Sequence, residues 1–306
     1  MIVSSRTNPE LSIVIPLYNK ELYIQRAVNS VLSQTFKNFE VIVVNDGSTD
    51  NSLAFVSSIA DHRVKIINQD NAGVSVARNK GTEFANSDYI AFLDADDELK
   101  PEYLARMFAL IKEFPQARTF ASAYEVIRPT RRSIKRHFPA DKGLINFEEF
   151  LEKLMMGYRP LGASSIIAEK KLLHEIGFFP VGQTRGEDTD TWFRLLRKAP
   201  CAFINEPLVI IWSGLPHSAC VSNKDIVSST LVEELESNIA HGKYQKEMHI
   251  KIIDFLAWRQ FGNIDRLIKS GKGGLARERI RLAMRSKRFR IKLYKMYLQS
   301  LLKNKF

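Results

Sequence analysis

The chain has 306 residues, 45% hydrophobic and 26% charged, enough for one large domain with a buried core and an appendage. Its two cysteines, Cys201 and Cys220, make neither a disulfide framework nor a metal knuckle, no apolar run approaches the roughly 20 residues of a membrane helix, and MIVSSRTNPE lacks the apolar core of a leader, so a cytoplasmic location is expected. Residues 269–306 hold thirteen of the 45 Lys and Arg and one of the 34 acids, a net of +12, while residues 1–268 hold 32 basic and 33 acidic, a net of −1.

Residues 11–16 (LSIVIP) form a continuous apolar run, the pattern of a strand buried on both faces. In 21–36 Ile24, Ala27, Val28, Val31 and Leu32 recur at helical spacing. A second buried strand, 39–44 (FEVIVV), runs into NDGSTD, where Asp50 or Ser48 caps a helix towards His62. A strand at 64–67 and a helix at 74–83 follow, and the strand 89–93 (YIAFL) ends in Asp94, Asp96, Asp97 and Glu98 before Pro101 opens a helix over 101–114. Further on, the pattern predicts a strand at 118–126, a basic loop at 128–137, a strand at 162–168 (GASSIIA), a helix at 188–198 and a strand at 201–212. Past about 223 helix formers dominate. The alternation predicts an α/β fold with a mostly parallel, Rossmann-like sheet flanked by helices, in a domain of residues 1–222, followed by a basic helical region, 223–306.

Parallel strands place their carboxyl ends on one edge, so Tyr18 and Asn19, Asp46, and Asp94 to Asp97 converge on one cleft. Carboxylates this close repel unless a cation or proton intervenes, and hard oxygen ligands suit Mg²⁺ or Mn²⁺ shared with substrate phosphates; a solvated acidic turn before a helix is the other reading. Asp46 is either a turn residue before Gly47 or an acceptor for a nucleobase edge, and Arg78 either a surface arginine or a cation for a pyrophosphate. There is no GxxxxGK[ST] loop, and GKGG at 271–274 lacks the preceding strand, which argues against a P-loop nucleotidase.

The runs IPLYN (15–19), NDGSTDNS (45–52), NAGVSVARNKG (71–81), FLDADD (92–97) and GEDTDTWFRL (186–195) together resemble family 2 glycosyltransferases of the GT-A fold, in order and spacing, over about 11–212. The resemblance implies inverting transfer of a single hexose or N-acetylhexosamine from a UDP-sugar to a hydroxyl of a lipid-linked or cell-surface glycan precursor. It divides the first domain into a nucleotide-binding part, about 11–100, and an acceptor part, about 101–222. By similarity, Pro16 and Tyr18 flank the uridine, Asp46 binds the uracil and Arg78 lies by the diphosphate. Asp94 and Asp96 form the DxD pair for Mn²⁺ or Mg²⁺, with Asp96 the direct ligand and His217 a third candidate. Asp188 is the expected catalytic base, whereas Asp190 reads as helix N-terminal acidic bias.

These roles suit the chemistry, because cleavage leaves charge on the diphosphate that a divalent cation neutralises and an acceptor hydroxyl needs a carboxylate to take its proton. The processive signature QxxRW is missing, which implies addition of one sugar. The other function class is a noncatalytic nucleotide-sugar-binding or scaffold protein, against which the intact acids Asp94, Asp96 and Asp188 speak. In the tail, Ile280, Leu282, Phe289, Leu293, Met296, Tyr297 and Leu301 are interleaved with Arg and Lys, which predicts peripheral attachment to the anionic inner face of the cell membrane; a solvated helix packed on the body or another subunit is the alternative. No nucleic-acid motif accompanies the charge, and no nucleic-acid partner is expected.

Overall fold

The computed structural model describes residues 8–135, 141–158, 161–183, 186–214 and 230–302, and the expected ligand His217 lies outside them. The chain divides into two compact units, one of 1–147 with 159–224 and one of 148–158 with 225–306.

The first unit is built on β1 (Leu11–Leu17), β2 (Phe39–Asp46), β3 (Val64–Gln69), β4 (Tyr89–Phe92), β5 (Glu98–Leu99), β6 (Thr119–Arg128), β7 (Arg131–Lys135), β8 (Lys142–Ile145), β9 (Ile166–Glu169) and β10 (Cys201–Trp212). The sheet runs β3-β2-β1-β4-β9-β6-β10-β5, with β7 on β6 and β8 on β10. Strands β3, β2, β1 and β4 are mutually parallel, β9 runs against β4 and β6, and β10 lies parallel to β6. Six of the eight strands in that order therefore point one way, and their carboxyl ends share an edge. Every residue of β2 is buried, as expected of a parallel strand covered on both faces.

The chain adds strands outward from β1 to β3, then returns to place β4 on the other side of β1. Such a reversal opens a crevice between the carboxyl ends of the two strands, here β1 and β4. Pro16 sits in this opening. Val14 O accepts from Leu93 N at 3.0 Å, so Pro16, the next position on that side, lies beyond the last pair with β4 and its missing N–H costs no ladder bond.

Helices α1 (Ile24–Leu32), α2 (Ser52–Ser57) and α3 (Val74–Phe84) connect these strands, followed by α4 (Tyr103–Glu113), α5 (Phe147–Met155), which belongs to the second unit from Glu148 on, α6 (Lys170–Glu175) and α7 (Glu187–Lys198). Helix α3 crosses β1 closely at Gly81, where a Cβ would come within 2.4 Å of Val14 Cγ1. The N-cap of α2 is Asn51, not the expected Asp50 or Ser48; Asp50, one residue earlier, accepts from Ser52 N at 2.9 Å through Oδ1 and from Glu21 N at 3.1 Å through Oδ2, which ties the start of α2 to the turn after β1.

Two stretches differ from expectation. The basic segment after Arg128 pairs as β7 antiparallel to β6 through a two-residue turn, and Glu125, buried on β6, holds Arg132 against it. GASSIIA is a 3₁₀ turn, Ala163–Ser165, before a strand of only four residues. Its Gly162 and two serines turn the chain where Tyr124 and Ile211 crowd it: a Cβ at Gly162 would meet both within 3.3 Å.

The second unit is helical, with α5 from Glu148 on, α8 (Thr230–Ala240), α9 (Lys246–Lys269), α10 (Gly273–Ala283) and α11 (Arg290–Leu302). Phe261, Ile264 and Ile268 of α9, Ala276 and Ile280 of α10, and Leu293 and Met296 of α11 form its core. Buried Asp254 accepts from Ser286 Oγ at 2.7 Å, and Lys251 pairs with Glu148 and Glu152. No described helix is long and apolar enough to cross a membrane.

Candidate active site

The exits of β1 and β2 are joined by a set of side-chain hydrogen bonds. Asn19, at φ 50°, accepts Thr49 N at 2.8 Å on its side-chain oxygen, and its own N–H donates to Ser48 Oγ at 3.2 Å. Lys20 N donates to Ser52 Oγ at 2.8 Å, and Asn45 Oδ1 accepts Ser48 N at 3.2 Å. Asp46, buried at the end of β2, accepts from Gln69 Nε2 at 2.7 Å and from Ala72 N and Gly73 N at 2.8 Å each. Its carboxylate thereby sets the loop that starts α3. Gly47 is required beside it, since its φ is 69° and a Cβ would lie 2.8 Å from Asn71 N. Tyr18, next after the Leu17–Asn45 pair, leaves the sheet 47% exposed, and Pro16 is half-buried.

The exit of β4 is held by charge. Arg78, on α3 and only 3% exposed, donates to Asp94 Oδ1 at 2.7 Å and to Glu187 Oε1 at 3.2 Å, with its guanidinium 5.2 Å from the Phe179 ring centroid. Burial acts to lower the Arg78 pKa, but the carboxylates of Asp94 and Glu187 outweigh it and hold the group above its ordinary value. Lys20 Nζ lies 2.6 Å from Asp96 Oδ2, and Arg26 donates to the Asp96 carbonyl at 2.9 Å while packing 4.3 Å from the Trp212 ring centroid. Each member of the expected DxD pair thus carries a side-chain cation.

Asp97 turns away from this edge. It is buried, accepting Ser164 Oγ at 2.6 Å and Trp212 N at 3.1 Å, and Ser164 Oγ in turn accepts Asp94 N at 3.1 Å. Burial, reinforced by Asp94 and Asp96, pushes its carboxyl well above the usual range. Asp97 therefore fastens the acidic turn to the end of β10 and to the 3₁₀ turn.

Helix α7 supplies the opposite wall. Gly186, in the left-handed region at φ 75°, starts it, and Glu187 points to Arg78. Burial raises the Glu187 pKa; Arg78 pulls it down, but Asp188 and Asp94 help keep it above its ordinary value. Asp188 is half-buried, and its Oδ1 accepts Thr189 N at 2.6 Å and Thr189 Oγ1 at 3.2 Å. Its Oδ2 accepts no hydrogen bond among the described residues, which leaves an oxygen able to take a proton.

The position of α7 is fixed from several sides. Asp190, buried, pairs with Arg194 at 2.7 Å, and Arg194 donates to the carbonyls of Ile176 and Phe178. Asn79 exchanges two 2.9 Å hydrogen bonds with the Phe179 backbone. The Phe179 ring packs edge-on against Phe92 and Trp192, with centroids 5.0 and 5.6 Å away. Strand β4, helix α3 and helix α7 are locked together, and Asp94, Arg78 and Glu187 meet where they join.

Sequence reasoning missed Lys20, Asn79 and Ser164 as members of this arrangement, and it paired Glu187 with Asp188 without foreseeing its contact with Arg78. Lys20 follows directly on the run IPLYN and Asn79 stands inside NAGVSVARNKG, but polar residues there give no sign of a partner 76 or 100 positions away. Among the described residues no three His, Cys, Asp or Glu side chains form a metal cluster. Asp94 and Asp96 alone still fit Mg²⁺ or Mn²⁺, which take one or two protein carboxylates and complete their shell with phosphate oxygens and water.

A family model for glycosyl transferase family 2 matches residues 12–172. An uncharacterized glycosyltransferase of Rickettsia felis is 30% identical over 253 residues, 80% of this chain and 40% of that protein. Chondroitin synthase of Pasteurella multocida is 41% identical over 122 residues, 39% of this chain and 12% of that protein. The chain therefore spans well under half the length of these curated relatives. The crystal structure of S. aureus TarS 1–349 in complex with UDP-GlcNAc superposes with a TM-score of 0.73, at 19% identity, covering 96% of this chain and 89% of that one.

Proposed function

The chain belongs to glycosyl transferase family 2 and has the GT-A fold, and from that premise we propose that it transfers one hexose or N-acetylhexosamine from a UDP-sugar, with inversion, to a hydroxyl of a lipid-linked or cell-surface glycan precursor. The observation that carries the reading is the buried Arg78, which binds Asp94 of the acidic turn and Glu187 beside Asp188 with one guanidinium. It couples the leaving-group end of a donor site to the base end. The UDP-GlcNAc bound to TarS and the glycan named for chondroitin synthase support the donor and acceptor classes.

In this reading Tyr18 and Pro16 flank the uridine. Asp46 already accepts three hydrogen bonds, and a carboxylate offers about four acceptor positions, which leaves one for the uracil N–H. Asp94 and Asp96 hold Mn²⁺ or Mg²⁺, which when bound neutralises charge on the departing UDP as a Lewis acid. Lys20 then exchanges Asp96 for a diphosphate oxygen. Arg78, almost wholly buried, acts by positioning Asp94 and Glu187. Asp188 takes the acceptor proton as the hydroxyl attacks the anomeric carbon and the sugar–phosphate bond breaks.

Release of UDP from a panel of nucleotide sugars, with Mn²⁺ or with EDTA, tests the proposal. Metal-dependent turnover of one UDP-sugar is expected. Metal-dependent UDP binding with no turnover when acceptor glycans are supplied would favour the noncatalytic binder, and no affinity for any nucleotide would contradict both.

A further inference from the structure

Helix α11 carries two apolar faces, and only one is used inside the second unit. Leu293 and Met296 are buried against α9 and α10, with Tyr297 packed beside them. Ile291, Tyr294, Leu298 and Leu301, spaced three, four and three residues apart, form a separate stripe and are 76%, 55%, 43% and 43% exposed. A helix covered on one side ordinarily turns polar residues outward, so a second apolar stripe marks a surface that docks on something. At 100° per residue, Arg290 and Lys295 flank the stripe on either side.

The charge identifies the occupant. Of the eleven Lys and Arg in the described part of 269–302, only Lys269 has an acidic partner, Asp265 at 2.6 Å. Arg277 donates to the Ser300 carbonyl, and Lys292 lies over the Phe261 ring. The rest of this positive charge has no counter-ion among the described residues. A second copy would bring the same excess and be repelled. Nucleic acid would satisfy the charge but leave the apolar stripe in water. A bilayer with anionic headgroups takes both, with apolar side chains at the headgroup boundary and cations at the phosphates.

We propose that α11 is a membrane-docking helix, inserting Ile291, Tyr294, Leu298 and Leu301 into the interface of an anionic lipid surface while the surrounding Arg and Lys bind its headgroups. This assignment stands independently of the catalytic reading, because it rests on the stripe of α11 and the charge of 269–302. The sequence pattern had merged the two faces: Leu293 and Met296 belong to the core, whereas Leu301 faces outward.

The test is flotation of the full chain with phosphatidylcholine vesicles, alone or mixed with phosphatidylglycerol, comparing wild type with Ile291→Ser/Leu298→Ser and Arg290→Glu/Lys295→Glu. Both variants alter exposed positions, and circular dichroism checks that they fold. Wild type is expected to float only with the mixed vesicles. The apolar variant should lose at least about tenfold in vesicle affinity, and the charge variant about 30-fold or more, at about fivefold for each basic residue. Indifference of wild type to phosphatidylglycerol would overturn the proposal. So would unchanged vesicle binding by the apolar variant, or a dimer in light scattering that this variant abolishes. Duplex DNA bound equally by wild type and the apolar variant, and displacing the vesicles, would reassign the charge to nucleic acid.

Discussion

Glu40 and Glu187 are both largely buried in the same α/β unit, near opposite ends of its sheet, and their environments move their pKa values in opposite directions. Burial acts to raise Glu40, but donors from Lys65, Asn86 and Ser12 outweigh it and hold the group below its ordinary 4.5. All four contacts are direct: Lys65 Nζ and Asn86 N at 2.6 Å, Ser12 Oγ at 2.7 Å and Asn86 Nδ2 at 2.9 Å. Glu187 shares its cation with Asp94 and has Asp188 beside it, so burial wins and its pKa rises. The amino end of the sheet satisfies its carboxylate completely. The carboxyl end gathers more acids than its own cations satisfy, which is the condition a site needs if a ligand is to supply the missing positive charge.

The largest effect that should sharpen this contrast falls on Asp188, whose replacement by Asn is expected to lower kcat by about 10²–10⁴ with UDP affinity unchanged in calorimetry. Arg78→Met should cost about 3–5 kcal/mol in urea unfolding, because it strands Asp94 and Glu187 without their cation. Adding Glu187→Gln to that variant should recover part of the loss, and no recovery would mean that Arg78 stabilises through packing on Phe179 instead.

The two glutamates give a direct pair. Glu40→Gln is expected to destabilise by about 2–3 kcal/mol at neutral pH, while Glu187→Gln alone stays within about 1 kcal/mol of wild type. Since the folded pKa of Glu40 lies below 4.5, its stabilisation is complete above 4.5 and lost as pH falls through the folded value. The Glu40→Gln deficit should therefore shrink on acidification below 4.5, and a deficit that stays constant would show that ionisation is not its source. The smallest effect belongs to Lys20→Met, which removes the cation from Asp96 and should tighten Mn²⁺ binding severalfold, about 1 kcal/mol, in titration calorimetry without donor.

The strands were legible because continuous apolar runs such as FEVIVV admit few other readings, and the acids at their exits could be placed on one edge from strand direction alone. The antiparallel β9 between β4 and β6 was not, since a short apolar run carries no sign of its direction. The segment after Arg128 reads as a loop in sequence because its charges mask the strand period; Glu125 on the neighbouring strand supplies the counter-charge that lets it pair. Within DADD, sequence could not show that Asp97 turns inward while Asp94 and Asp96 keep to the edge, because that division depends on Ser164 and on the Trp212 backbone, remote in the chain. Lys20 escaped notice for the same reason. Its partner is defined only once β1 and β4 are neighbours.

The most direct test of the account is calorimetric titration of UDP into wild type, Asp188→Asn and Asp96→Asn, each with and without Mn²⁺. The account predicts metal-dependent binding of similar strength in wild type and Asp188→Asn, and loss of the metal dependence in Asp96→Asn. Equal, metal-independent UDP affinity in all three would contradict it, because the acids at the exit of β4 would then have no part in holding the donor.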